Sequence, residues 1–239
     1  MIFEAKNITK TFKDRIVLNG ISVHFDQREI VGILGPNGAG KTTLFSILTG
    51  ITSSESGSIS LDKKDITKLQ INQRAKAGIV YLPQDSSIFR GLSVEDNIKS
   101  ILQIKYTNDE QIETRLNELL EAFSLSHLKS AKAPVLSGGE RRKVEIARAL
   151  ATDPAFLMLD EPFSGIDPIS ISEITNIIRR LKESGIGVII TDHNVRETLN
   201  ILDRGYIIAN GKILISGTAD EITNDENSRK IYLGEQFRI

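Results

Sequence analysis

The residue types in Gly35-Pro36-Asn37-Gly38-Ala39-Gly40-Lys41-Thr42 suit the grasp of a phosphate chain. Their pattern is Gly-x4-Gly-Lys-Thr. Glycines let successive backbone N–H groups turn inward around an anion, because a Cβ would block the turn or the approach. Lys41 supplies a mobile charge for the outer phosphates, and Thr42 offers a hydroxyl to Mg²⁺. Context supports this reading. The apolar run Ile30 to Leu34 precedes the loop as a buried strand, and Thr43-Leu44-Phe45-Ser46-Ile47-Leu48 opens a helix. A helix N-terminus aimed at the loop adds partial positive charge.

Two further clusters carry chemistry. Asp160-Glu161 closes the apolar run that starts at Ala155. A buried strand ending in two acids is expensive unless they serve a cation or a reaction. Asp160 can hold Mg²⁺, usually through water, and Glu161 can polarise an attacking water. Taken alone, the pair reads equally well as an acid at a helix N-cap. Leu136-Ser137-Gly138-Gly139-Glu140 leads into an Arg-rich helix. Ser137 and Glu140 have the spacing of a capping box. The two glycines also bare the helix N–H groups, which makes a second anion site.

These groups need elements to hold them. The chain has 239 residues, enough for one large domain or two intimate subdomains. Residues 2–26 alternate apolar and polar positions, which predicts antiparallel strands joined around Phe12-Lys13-Asp14-Arg15. Short strands are predicted over Gly57 to Asp62 and Gly78 to Gln84. Ile112, Leu116, Leu119, Leu120 and Phe123 have helical spacing within a helical block over 88–150. Buried strands follow at 155–160 and 187–191, flanking a helix that carries Ile171, Ile174, Ile177, Ile178 and Leu181 and ends at Gly185. Strand-helix-strand at these lengths implies parallel pairing. Asn210-Gly211 predicts a hairpin turn, and 219–239 reads as a helix plus a polar tail.

Composition excludes several classes. Thirty basic and 31 acidic side chains give no global field toward nucleic acid or lipid, so no nucleic-acid partner is expected. The absence of cysteine excludes disulfides and thiolate metal sites. No signal peptide is apparent, and no apolar stretch approaches the ~18–20 residues that span a bilayer. A soluble, intracellular protein is expected, without excluding docking on a membrane protein.

Taken in order, the motifs resemble the nucleotide-binding subunit of ATP-binding-cassette (ABC) transporters across essentially the whole chain. Residues 35–42 match the Walker A loop, with Thr43 beside it. Phe156 to Asp160 match the Walker B strand, and Leu136 to Glu140 the family signature. Gln84 matches the Q-loop glutamine, Ser164-Gly165-Ile166-Asp167 the D-loop, and His193 the switch histidine. Phe12 falls where the family stacks an aromatic on adenine. The resemblance implies an α/β fold with a P-loop NTPase (RecA-like) core and an antiparallel β subdomain over 1–87 and 151–239, and an inserted α-helical subdomain over 88–150. It implies ATP and Mg²⁺ as cofactors, with Thr42, Gln84 and Asp160 toward the metal. Glu161, His193 and Lys41 become the catalytic groups. Two copies would face head to tail, Ser137, Gly138, Gly139 and Glu140 of each reaching the nucleotide of the other, and Asp167 joining the site. Two positions depart from the family. Arg28 stands where glycine is usual, and would be strained if φ there is positive. Gly91 stands where a second basic residue is expected.

Longer stretches narrow the resemblance. Tyr81 to Asn97, Asp160 to Ser170, Thr191 to Leu199 and Tyr232 to Arg238 are similar to the cassettes of lipopolysaccharide exporters. This implies a membrane permease pair as partner, with Phe89 and Arg90 at the docking groove and the chain on the cytoplasmic face of the inner membrane. Cassettes of branched-chain amino-acid importers share the Tyr-Leu-Gly ending, but typically carry Glu-Gln-Asn where this chain has Asp192-His193-Asn194. Soluble non-transport ABC ATPases usually carry two cassettes or long coiled coils, and neither is apparent.

Overall fold

A computed structural model of the chain describes residues 1–234 and 237. Strands β1 (Ile2–Phe12) and β2 (Arg15–Asp26) pair antiparallel, with Phe12 opposite Arg15 at the hairpin end. β3 (Ile30–Leu34) feeds the glycine loop and α1 (Lys41–Thr49). β4 (Ser56–Leu61) and β5 (Lys64–Asp65) complete a four-stranded antiparallel sheet in the order β2-β1-β4-β5. α2 (Ile71–Lys76) and β6 (Ile79–Leu82) follow. Next come α3 (Val94–Lys105), α4 (Asp109–Ala122) and α5 (Gly138–Leu150). β7 (Phe156–Asp160), α6 (Pro168–Glu183), β8 (Gly187–Thr191), α7 (Val195–Leu199), β9 (Arg204–Ala209), β10 (Lys212–Gly217) and α8 (Ala219–Asn224) follow, before a short helix α9 (Glu226–Ser228) and a π-helical turn (Arg229–Leu233).

The second sheet has six strands in the order β10-β9-β3-β8-β7-β6, all parallel except β10. Its central strands are buried on both faces, which explains their continuous apolar runs. Period-two alternation divides their side chains between two cores. Phe156, Met158 and Ile189 join the cluster under the antiparallel sheet and α1. Leu157, Leu159, Val188 and Ile190 join the cluster built with α3 to α6.

Local signals account for most element ends. Asn108 caps α4, accepting from the Glu110 and Gln111 N–H groups, and Asp109 and Glu110 face the helix dipole. Asn210 (φ 49°) and Gly211 (φ 72°) form the turn between β9 and β10. Arg28 has φ 62°, so the turn before β3 keeps a left-handed geometry and the arginine carries its strain.

Two expectations change. The Arg-rich helix forms as expected, as α5, but the block also holds α3, which lies outside the 112–123 periodicity. It starts at Ser93, whose hydroxyl accepts from the Asp96 N–H. The described part of the C-terminal segment is not simply a polar tail. Tyr232, Leu233 and Phe237 pack on a third cluster with Leu34, Leu199, Ile207 and Ile222. Burial pushes the Tyr232 phenol up to about 12. Glu235, Gln236 and Arg238, part of the stretch similar to lipopolysaccharide exporters, lie outside the described residues.

Candidate active site

Strand order builds the site. In an open parallel sheet, ligands gather beyond the carboxyl ends of the strands. Here β3, β8, β7 and β6 are neighbours. Beyond their ends come the glycine loop, His193, Glu161 and Gln84 respectively. Asp160 and Thr191 are register partners, which sets the residues after them side by side.

The loop's glycines are required by geometry. Gly35, Gly38 and Gly40 have φ of 146°, 76° and 108°. A Cβ on Gly35 would lie 2.1 Å from the Ile208 carbonyl oxygen. Gly40 stands at the N-cap of α1 with no side-chain cap, so the first helical N–H groups remain available to an anion. Lys41 Nζ donates to the carbonyls of Gly35 (2.7 Å) and Pro36 (3.0 Å). Burial lowers the ammonium below the ordinary lysine range, against the opposing pull of Glu161 and Asp160. Lys41, Thr42, Thr43, Asn37, Asp160 and Glu161 line a cavity of about 270 Å³.

Asp160 is buried at the end of β7. Burial raises its carboxyl above the usual range, although Tyr81 Oη donates to Oδ2 at 2.9 Å. Glu161 follows in the left-handed region at φ 45°, its N–H donating to the Thr191 carbonyl at 2.7 Å. A non-glycine residue held there stores strain of order 1–3 kcal/mol, which is common at working sites. Its Oε2 accepts from Gln84 Nε2 at 2.7 Å and lies 3.0 Å from His193 Nδ1. This Glu161 oxygen thus gathers two other residues singled out by sequence, Gln84 and His193.

Supporting residues were missed from the sequence. Asp192 is buried, accepting from the Phe163 N–H at 2.9 Å and the Asn194 N–H at 2.7 Å. It therefore ties the segment after Glu161 to the one carrying His193. Arg142 donates to the carbonyls of Pro83 (3.0 Å) and Asp160 (3.2 Å) and pairs with Glu145 at 3.1 Å. Glu145 also accepts from Ser86 Oγ at 2.6 Å and the Ser87 N–H at 2.9 Å. The usable signal was a pair of opposite charges at i, i+3 on the apolar face of α5.

Ser137 and Glu140 form the capping box of α5: the Glu140 N–H donates to Ser137 Oγ at 3.2 Å, and the Ser137 N–H to Glu140 Oε2 at 2.8 Å. The Ser137 hydroxyl therefore serves the helix here. Gly139 has a packing reason as well, since its Cβ would fall 2.1 Å from Ser170 Oγ. Gly138 sits beside the Gly165 carbonyl, 3.3 Å from where a Cβ would stand. Asp167 caps α6, accepting from the Ile169 and Ser170 N–H groups at 3.0 Å and from Ser170 Oγ at 2.6 Å. Phe12 is half exposed at the hairpin end, with Lys10 Nζ 5.4 Å from its ring centroid.

Phe89 and Arg90 follow Gln84 along the same loop. Arg148 stacks on the Phe89 ring at 4.9 Å. The Phe89 N–H donates to Oδ1 of buried Asn97 at 2.8 Å. Arg90 lines a groove of about 250 Å³ with Ile88, Pro134 and Arg141. A Cβ at Gly91 meets nothing within 4 Å, so the missing basic residue leaves open space.

The glycine cradle, the carboxyl-end acids and the inserted helices together define a nucleotide-hydrolysing cassette. The chain belongs to the ABC transporter family, whose profile matches residues 18–164. It is 52% identical over 236 residues to the lipopolysaccharide export system ATP-binding protein LptB of Escherichia coli, covering 98% of each chain. It is 51% identical to an uncharacterized ABC transporter ATP-binding protein of Rhizobium meliloti, over 98% of this chain and 87% of that one. Its fold superposes on the ADP conformation of the cassette MJ1267 with a TM-score of 0.89 and 32% identity, over 98% of this chain and 99% of that chain. It also matches a dimeric post-hydrolysis state of the cassette MJ0796 bound to ADP and Pi, with a TM-score of 0.80 and 25% identity, over 92% and 99% of the two chains. As a member of this family the chain binds and hydrolyses ATP. Among the described residues, no helix is long and apolar enough to cross a membrane.

Proposed function

We propose that this chain energises lipopolysaccharide export from the cytoplasmic face of the inner membrane, as one of two copies bound to a permease pair. The observation that carries the reading is end-to-end identity of 52% with an ATP-binding protein of that export system. The groove beside Phe89 and Arg90 supports it, because a half-exposed aromatic backed by a stacked arginine suits a docking helix.

The residues fit Mg²⁺. The Thr42 hydroxyl and the Asp160 carboxylate line one cavity and are hard oxygen donors of the kind that ion selects. A bound Mg²⁺ would neutralise charge developing on the transferred phosphoryl group. The protein's own part is positional. Loop N–H groups and the α1 N-terminus hold the phosphates, and Lys41 turns from its loop carbonyls to the outer oxygens. Glu161 accepts the proton of the attacking water, while Gln84 and His193 fix its Oε2. Each chain carries one signature segment, Ser137 to Glu140, and one glycine loop, so a head-to-tail pair completes two sites. Capture of the tagged protein from detergent-solubilised membranes tests the assignment. Recovery of a permease pair that moves lipopolysaccharide supports it. Recovery of amino-acid permease subunits, or of ribosomes, overturns it.

A further inference from the structure

In the sequence Arg15 only closes the turn Phe12-Lys13-Asp14-Arg15. It is the register partner of Phe12 in the last pair of the β1–β2 hairpin. Directly paired residues project to the same face of an antiparallel ladder, so the guanidinium and the ring leave the sheet together. The Arg15 side chain lines the same cavity as Lys41, Thr42 and Thr43. Among the described residues its one side-chain hydrogen bond, from Nη2 to the Gly38 carbonyl, is 3.5 Å long, at the outer limit for such a bond. No carboxylate among the described residues pairs with it. A guanidinium has five N–H donors in a rigid fork that matches phosphate oxygens. An unpaired one, set between an aromatic platform and a phosphate cradle, points to an anion between the two.

We propose that Arg15 is a nucleotide-binding residue that contacts the sugar–α-phosphate segment linking a base on Phe12 to the phosphates in the glycine loop. This rests on the proposed ATP site. Lys41 stands at the loop end of the cavity and serves the outer phosphates, whereas Arg15 reaches in from the hairpin beside Gly38. The α-phosphate is common to ATP and ADP, so Arg15 supports both alike and contributes uniform binding rather than transition-state stabilisation.

The test compares Arg15→Gln and Arg15→Lys with the parental protein. ATP and ADP affinities are measured by calorimetry, and KM and kcat by phosphate release. Arg15→Gln is expected to weaken ATP and ADP about tenfold each, the scale of one charge-assisted hydrogen bond, and to raise KM with kcat unchanged. Arg15→Lys is expected to recover only part, because a point charge lacks the fork. Unchanged ADP affinity in Arg15→Gln overturns the proposal, as does a fall in kcat at constant KM, which would make Arg15 a positioning residue for the loop. Failure of the underlying site is distinguishable, because then the parental protein would bind no nucleotide and Lys41→Ala would change nothing.

Discussion

Replacing Glu161 by Gln tests the chemistry most directly. The substitution keeps shape and removes only the proton-accepting charge. In the structure the carboxylate is held at Oε2, which takes Gln84 Nε2 at 2.7 Å and has His193 Nδ1 at 3.0 Å. A positioned general base contributes about 10²–10⁴ in rate. At about 1.36 kcal/mol per decade this is roughly 3–5 kcal/mol of barrier. The groups proposed to hold the phosphates lie elsewhere, on the loop and α1, so ATP affinity should persist. Backbone strain at φ 45° is common to Glu and Gln, so thermal stability should shift little. The assay is phosphate release at saturating ATP, beside equilibrium nucleotide binding. Because His193 Nδ1 lies against the same oxygen, His193→Ala should cost less alone, up to roughly 10² by misplacing it. Combined with Glu161→Gln it should add almost nothing, as for residues that act as a unit. A Glu161→Gln protein that turns over at the parental rate would falsify the assignment of the base. Fully multiplicative losses in the double variant would break the link to His193.

Three other outcomes follow from packing and charge. Asp160 is held above its ordinary range by burial, so its folded form binds the proton more tightly than the unfolded chain. Its stabilising contribution is complete below the unfolded value near 3.9 and is lost as pH rises through the higher folded value. Asp160→Asn should therefore raise the Tm of the protein without nucleotide at neutral pH, with a smaller gain in acid, while hydrolysis is lost. A lower Tm at neutral pH would contradict the burial argument. Arg28→Gly should stabilise by about 0.5–1 kcal/mol in urea unfolding, the relief of left-handed strain less the added freedom of the unfolded chain; a destabilised variant would show that the strain is offset. Gly139→Ala should cost about 1–3 kcal/mol, since its Cβ must displace Ser170 Oγ from 2.1 Å and with it the bond to Asp167; unchanged stability would mean that α5 and α6 separate freely.

Much of this protein was legible in its sequence because short-range physics writes local signals. The glycine loop announced itself between an apolar run and a helix, and its positive φ values show why side chains are excluded there. Asn210-Gly211 fixed its hairpin, and the spacing of Ile112, Leu116, Leu119 and Leu120 fixed the buried face of α4. Arg28 marked a turn that the structure keeps at the cost of strain. Sequence also named Gln84, Glu161 and His193, but it could not place them around one carboxylate oxygen. That meeting follows from the order β3-β8-β7-β6, which sequence-distant strand pairing sets and no local pattern encodes. Tertiary packing alone made a tether of Asp192, a buried brace of Arg142 and Glu145, and, among the described residues, a cation without a carboxylate partner of Arg15 beside the cradle. Residue type reveals that a group can carry charge. Only the folded neighbourhood determines whether another group satisfies that charge or leaves it for a ligand.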